Sequence, residues 1–290
     1  MENLTRETVT YFDCGDDYAN ADIVVWGAPF DGTTSFRPGT RFGPTAMRSE
    51  SYGLEDYSPY QDTELSEFAI CDLGDPELPY GNPRRALDEV AAKTRAILSD
   101  NKVPVMIGGE HLLTLGAVEA MVEKYPDLRV IHLDAHTDLR DEYLGEKLSH
   151  AAVIRRCYEL LGKDRIASFG IRSGLKEEFA FGKQNLKFHP FVLNFKLDKL
   201  LEEWRDNPIY VTIDLDVLDP SVFPGTGTPE PGGVTFNDLL KFVLPLKNAR
   251  MVGFDLVELS PHYDASGAST AVACKVLREM LMLQGRSLRR

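Results

Sequence analysis

Short apolar runs rich in β-branched and aromatic residues recur at 22–26, 68–72, 103–107, 128–133, 165–169, 209–213 and 251–254, with a weaker one at 188–192. Segments such as VVW, VPVMI and IYVTI carry little polar alternation. That is the pattern of strands covered on both faces, as in a parallel sheet between helical layers. Between them, apolar positions recur at helical spacing over 83–99, where Leu87, Val90, Ala91, Thr94, Ile97 and Leu98 share a face and Pro83 opens the segment. Further helices are expected at 112–125, 150–161, 235–246 and 265–283, with Pro245 ending or kinking the one over 235–246. Alternation of strand and helix predicts one three-layer α/β/α domain over residues 1–290, built on a parallel, roughly eight-stranded sheet with right-handed crossovers.

Composition narrows the function classes. The chain has 290 residues, 43% apolar and 27% charged, which describes a globular protein with material for a large core. Its 32 Lys and Arg against 45 Asp and Glu leave a net charge of −13, so nucleic acid and acidic membrane surfaces are not expected partners and cationic ligands are. Cys14, Cys71, Cys157 and Cys274 are far apart and read as reduced structural thiols. The opening MENLTRETVTYFDC lacks the basic and apolar blocks of a leader, no run is long enough for a membrane span, and a cytoplasmic location is expected. The terminal Arg-Ser-Leu-Arg-Arg reads as a solvated tail.

Open parallel sheets place ligands beyond the C-terminal ends of their strands. Four polar clusters fall there: Gly108-Gly-Glu-His111, Asp134-Ala-His-Thr-Asp138, Asp214-Leu-Asp216 and Val257-Glu258. If these segments stay extended, Asp134, His136 and Asp138 project to one side, and so do Asp214 and Asp216. Four converging carboxylates repel one another unless some are protonated or cations bind. Two divalent ions would balance Asp134, Asp138, Asp214 and Asp216, with His111 and His136 adding neutral nitrogen ligands. Oxygen-dominated ligation without thiolate ranks Mn²⁺ first, ahead of Mg²⁺, Fe²⁺ or Zn²⁺, and such a pair can present hydroxide at neutral pH. Taken singly, Asp-x-His-x-Asp could be loop capping and Asp214-Leu-Asp216 turn chemistry. His132 reads as core packing or support for a ligand, and His189 and His262 as structural or surface residues.

These motifs, together with Gly27-Ala-Pro-Phe-Asp-Gly-Thr-Thr-Ser35, Arg37-Pro-Gly-Thr-Arg-Phe-Gly-Pro44, Asp214-Leu-Asp-Val-Leu-Asp-Pro220 and Pro224-Gly-Thr-Gly-Thr-Pro-Glu-Pro-Gly-Gly233, resemble in order those of the ureohydrolase family of arginases and agmatinases, the agmatinases more closely. The resemblance covers nearly the whole chain. It implies a parallel eight-stranded sheet, one Mn²⁺ on His111, Asp134, Asp138 and Asp214, and a second on Asp134, His136, Asp214 and Asp216. It further implies that Glu258 binds the substrate guanidinium, that Asp138 orients the proton of a bridging hydroxide, and that His150 shuttles protons. Trimers or hexamers are the implied assembly.

The implied reaction is hydrolysis of a small cationic guanidino compound, agmatine first, to urea and an amine. Arginases carry a Ser-Gly-Asn run before the shuttle histidine that is missing here. Asp141, Glu142 and Glu146 are candidates to attract the distal ammonium of agmatine, with Arg140 and Lys147 opposing them. Alternatives are hydrolysis of guanidinobutyrate, guanidinopropionate, arginine or formiminoglutamate, a catalytically silent binding paralogue, and a dinuclear phosphoesterase using Arg37 and Arg41. Two departures from the family pattern stand out: Glu110 where Asp is common, and Ala151-Ala152-Val153 after His150 in place of a small residue with Thr-Pro.

Overall fold

The computed structural model describes residues 9–191, 193 and 197–289. Its centre is an eight-stranded sheet of β1 (Ile23–Ala28), β2 (Ile70–Asp72), β3 (Val103–Gly108), β4 (Arg129–Leu133), β5 (Ile166–Phe169), β6 (Lys187–His189), β7 (Ile209–Asp214) and β8 (Met251–Val257). All neighbours pair in parallel, in the spatial order β2-β1-β3-β8-β7-β4-β5-β6. The expected fold class is therefore observed. A small antiparallel hairpin, Tyr57–Ser58 with Thr63–Glu64, lies outside this sheet.

Burial on both faces explains the unbroken apolar runs. In β1, Ile23 and Val25 pack in one apolar cluster and Val24 and Trp26 in the other, as alternation across a pleated strand requires. One layer is built by α2 (Pro83–Ser99), α3 (Leu113–Lys124) and α4 (Val153–Leu161), packed in sequence, and α1 (Gly43–Ser51) packs on α8 (Ala268–Leu288) in the other. The chain also forms α5 (Lys176–Asn185), α6 (Leu197–Glu203) and α7 (Phe236–Val243). Asn82 starts α2 by accepting the Arg85 N–H at 3.1 Å, and Pro83 at its first position needs no such bond.

Several boundaries differ from expectation for local reasons. Pro245 ends α7 as an α-helix, and the chain continues as a 3-10 turn over Leu244–Asn248. Residues 150–152 also form a 3-10 turn, so α4 starts only at Val153. The apolar pattern gave no sign of α1, because its buried face includes Arg48, whose guanidinium donates to Asp72 at 2.7 and 2.9 Å. The terminal basic run is not a free tail: α8 carries it to Leu288, and Arg286 donates to the Gln61 carbonyl. Arg290, Val192 of the weak strand and residues 1–8 of the opening segment lie outside the described residues. The four cysteines are buried and unpaired, and no described helix is long and apolar enough to cross a membrane.

Candidate metal centre

The four polar clusters leave the C-terminal ends of β3, β8, β7 and β4, which are consecutive in the sheet, so strand order alone gathers them. The last step is made by turns, not by extended chain. Asp138 has φ 49°, a left-handed conformation that swings its carboxylate inward. Asp214 ends β7 and Leu215–Val217 form a 3-10 turn, with the Asp216 N–H donating to Asp214 Oδ1 at 2.9 Å. The expected extended alternation past the strands is therefore corrected, and turn capping and convergence occur in the same residues.

His111 Nδ1 lies 3.1 Å from Asp134 Oδ2, 3.1 Å from Asp138 Oδ2 and 3.3 Å from Asp214 Oδ2. His136 Nδ1 lies 2.9 Å from Asp216 Oδ2 and 3.5 Å from Asp134 Oδ1. Asp134 thus faces both imidazoles, one with each oxygen. The candidate ligand atoms of Asp134, His136 and Asp216 fall within 4.8 Å of one another, as do those of His111, His132 and Asp134. In the second group His132 has both nitrogens engaged, Nδ1 with Ser168 Oγ at 3.0 Å and Nε2 with Asp134 Oδ2 at 2.8 Å, so it supports Asp134 from behind.

These residues fit a cation pair. His111 Nδ1 is buried among three carboxylate oxygens yet makes no well-formed hydrogen bond, the situation of a lone pair awaiting a cation. Its Nε2 is 3.0 Å from Thr212 Oγ1, the outer-side bond that holds a ligating imidazole in place. Burial, together with the neighbouring Asp134 charge, pushes the Asp138 carboxyl up to about 7. Burial and the charges of Asp216 and Asp134 push Asp214 well above the carboxylate range. Asp134 is held well below that range against burial by its three histidine neighbours. A cluster that cannot be fully ionised alone is one that divalent ions would ionise.

The cluster floors a cavity of about 280 Å³ whose lining includes His111, His136, Asp138, Asp214 and Glu258 together with His150, Ser35, Arg140, Tyr143 and Glu178. The Glu258 carboxyl is buried and held well above its usual value, mainly by that burial. Its backbone has φ 68°, strained for a non-glycine residue. His150 faces Tyr143 edge-on at 5.9 Å, and burial lowers it to about 4, leaving a neutral ring at neutral pH.

All three candidates for the distal ammonium lie elsewhere. Asp141 pairs with Arg156 at 3.0 Å, and Glu142 and Glu146 are exposed; none lines the cavity. Glu178 does, and it is held in place by three donors, Thr137 Oγ1 at 2.9 Å and the N–H groups of Leu139 at 3.1 Å and Leu175 at 2.6 Å. Sequence patterning missed it, because a helix-start glutamate looks the same whether or not it borders a cavity. Arg41 pairs with Asp31 and Arg37 stacks 5.0 Å from the Phe36 ring and 5.3 Å from Tyr263, both away from the cavity lining, so the two arginines that the phosphoesterase reading relied on do not face the cluster. His262 packs edge-on to Phe42 at 4.8 Å and His189 stacks on Phe169 at 4.8 Å, both as structural residues.

The family model described as "Arginase family" matches residues 21–283. The chain belongs to the arginase family. Within it, an agmatinase from Bacillus anthracis is 46% identical over 268 residues, covering 91% of this chain and 92% of that one. A solved structure from Clostridium difficile superposes with a TM-score of 0.91 at 48% identity, covering 94% of this chain and all 100% of the other. The agmatine ureohydrolase of Thermoplasma volcanium matches with a TM-score of 0.88 at 35% identity, over 98% and 97% of the two chains.

Proposed function

We propose that this arginase-family chain hydrolyses agmatine to urea and putrescine on two Mn²⁺ ions, one held by His111, Asp134, Asp138 and Asp214 and the other by Asp134, His136, Asp214 and Asp216. The observation that carries the reading is the convergence of the His111 and His136 Nδ1 atoms on four carboxylates at the floor of a cavity that Glu258 also lines. The agmatinase and agmatine ureohydrolase names of its relatives support agmatine as substrate.

When bound, such an ion pair supplies activated water and neutralises the clustered carboxylates. An oxygen-rich donor set with two imidazoles suits Mn²⁺. With the four aspartates balanced by the ions, Glu258 leaves the floor negative and receives the planar guanidinium as a carboxylate partner. Asp138 would hold the proton of the attacking water. His150 gives a proton to the departing amine nitrogen, whose C–N bonding pair it would otherwise have to keep as an unstable anion.

A second observation concerns substrate range. The Arg140 guanidinium lies on the cavity wall, 4.6 Å from the Tyr143 ring centre, and would meet the carboxylate of guanidinobutyrate. That favours guanidino acids as a secondary substrate class.

The reading carries with it a cytoplasmic enzyme of polyamine metabolism, one catalytic unit over residues 1–290, assembled as a trimer or hexamer without nucleic-acid or membrane partners. The net charge of −13 supports the last of these. The test is urea release by the Mn²⁺-loaded protein from agmatine, arginine and guanidinobutyrate, beside Asp138→Asn. Rapid release from agmatine that Asp138→Asn abolishes is the expected result; no urea from any of the three overturns the reading.

A further inference from the structure

Thr33 stands between two residues of the cavity region that no bond joins directly. Its hydroxyl donates to Glu110 Oε1 at 2.6 Å, accepts the main-chain N–H of His150 at 3.1 Å, and lies 3.5 Å from His150 Nδ1. Glu110 is fully buried and pinned from the same loop, accepting the Thr33 N–H at 2.8 Å and the Thr34 hydroxyl at 3.4 Å on Oε2. On the other side of the ring, His150 Nε2 lies 3.4 Å from the hydroxyl of Ser35, which lines the cavity.

A threonine hydroxyl has one hydrogen and two lone pairs. While Glu110 is ionised the hydrogen is committed to it, and only lone pairs are left to face His150. One takes the main-chain N–H, and the other can be satisfied by the ring only if Nδ1 carries the proton. In that tautomer Nε2 is bare and turned toward the cavity.

We propose that Thr33, oriented by Glu110, is a positioning residue that fixes His150 as its Nδ1–H tautomer, so that Nε2 is the atom that exchanges protons in the cavity. Nε2 takes a proton from solvent and passes it to the amine nitrogen, which keeps the electron pair of the breaking C–N bond; solvent then restores the ring. The inference rests on the proposed function for its catalytic meaning, though the tautomer itself does not.

The experiment reads the tautomer directly, from imidazole nitrogen shifts of protein labelled with ¹⁵N-histidine, with the His150 signal among the six histidines identified by its loss in His150→Gln. A neutral Nδ1–H ring in the wild type and in Thr33→Ser, changed to Nε2–H or an average in Thr33→Val, is expected. A wild-type ring protonated at Nε2, or a Thr33→Val ring unchanged from wild type, overturns the proposal, and the wild-type arm decides even if the valine variant does not fold. In turnover, Thr33→Val is expected to lose ~10–100-fold in kcat with KM little changed, to recover part of it in concentrated imidazole buffer, and Thr33→Ser to stay within ~3-fold of wild type. Equal losses in both variants with no response to imidazole would mean a merely structural role. A wild-type protein that releases no urea sinks the proposed function and leaves the tautomer result standing.

Discussion

Glu258 accepts the main-chain N–H of His111 at 2.7 Å, while its own N–H donates to the Gly109 carbonyl at 2.9 Å. The carboxylate proposed to receive the guanidinium is thereby tied to the peptide that carries an imidazole of the candidate metal centre. β3 and β8 are neighbours in the sheet, so this cross-link sits where two strand ends meet, and the positive φ of Glu258 is the strain accepted for it.

Replacing Glu258 by Gln keeps the shape and removes the charge. Removing one partner of a buried charged pair costs about 2–5 kcal/mol, so kcat/KM for agmatine should fall accordingly. Elemental analysis should show the ion content unchanged, because Glu258 is not among the proposed ligands. Loss of metal in E258Q would instead place its role in holding the His111 peptide.

Metal removal should be visible in stability. A ligand bound only by the folded state at about 100 times its dissociation constant adds about 2.7 kcal/mol. Chelation followed by thermal melting should lower the midpoint, and Mn²⁺ should restore it. In Asp138→Asn restoration should be partial, and an Asp138→Asn protein that responds to Mn²⁺ like wild type would contradict its place among the proposed ligands.

Gly109 admits no side chain. A Cβ there would lie 2.0 Å from the Phe30 carbonyl oxygen, and the Gly109 and Glu110 N–H groups donate to Ala28 and Phe30 at 2.9 and 2.8 Å. Gly109→Ala must push apart the segments that carry Thr33 and His111. The expected loss is about 1–3 kcal/mol of stability by denaturant titration, with reduced metal affinity.

Acid sensitivity should localise in part to the start of α8. Asp264 accepts from the Ser266 hydroxyl at 2.6 Å, from the Ser269 hydroxyl and N–H, both at 2.7 Å, and from the Ser266 N–H at 3.0 Å, which hold its carboxyl down to about 2 from 3.8. A carboxyl lowered on folding stabilises fully above its unfolded value and loses that contribution as the pH falls through the folded one. Asp264→Ala should therefore cost about 1 kcal/mol at pH 7, as loss of a helix-start cap does, and the gap to wild type should close as the pH falls from about 4 towards 2. A gap that persists unchanged below that range would assign the effect to packing.

The strands were legible because both faces are buried: Val103, Val105 and Ile107 fill one cluster and Met106 the other, leaving nothing polar to interrupt the run. Helix α5 was not, since among its ten residues only Glu178 and Gly182 are buried and neither is apolar in the sense that makes a stripe. The carboxylates and imidazoles that converge could be named from their types and their place after strands. Asp141, Glu142 and Glu146 were misplaced by the same kind of reasoning, because charge in a loop says nothing about which way the loop faces.

Residue identity and order along the chain were enough to specify a parallel sheet, a set of oxygen and imidazole donors, and the family to which they belong. The meeting of those donors is a different matter, for it depends on β3, β8, β7 and β4 lying side by side although β8 is the last strand in the chain, and on a left-handed turn at Asp138 and a 3-10 turn after Asp214. Local pattern encodes burial and backbone preference residue by residue. Which distant segments become neighbours, and so the contact of Thr33 with both Glu110 and His150, is decided by how the buried faces pack together across the whole sheet.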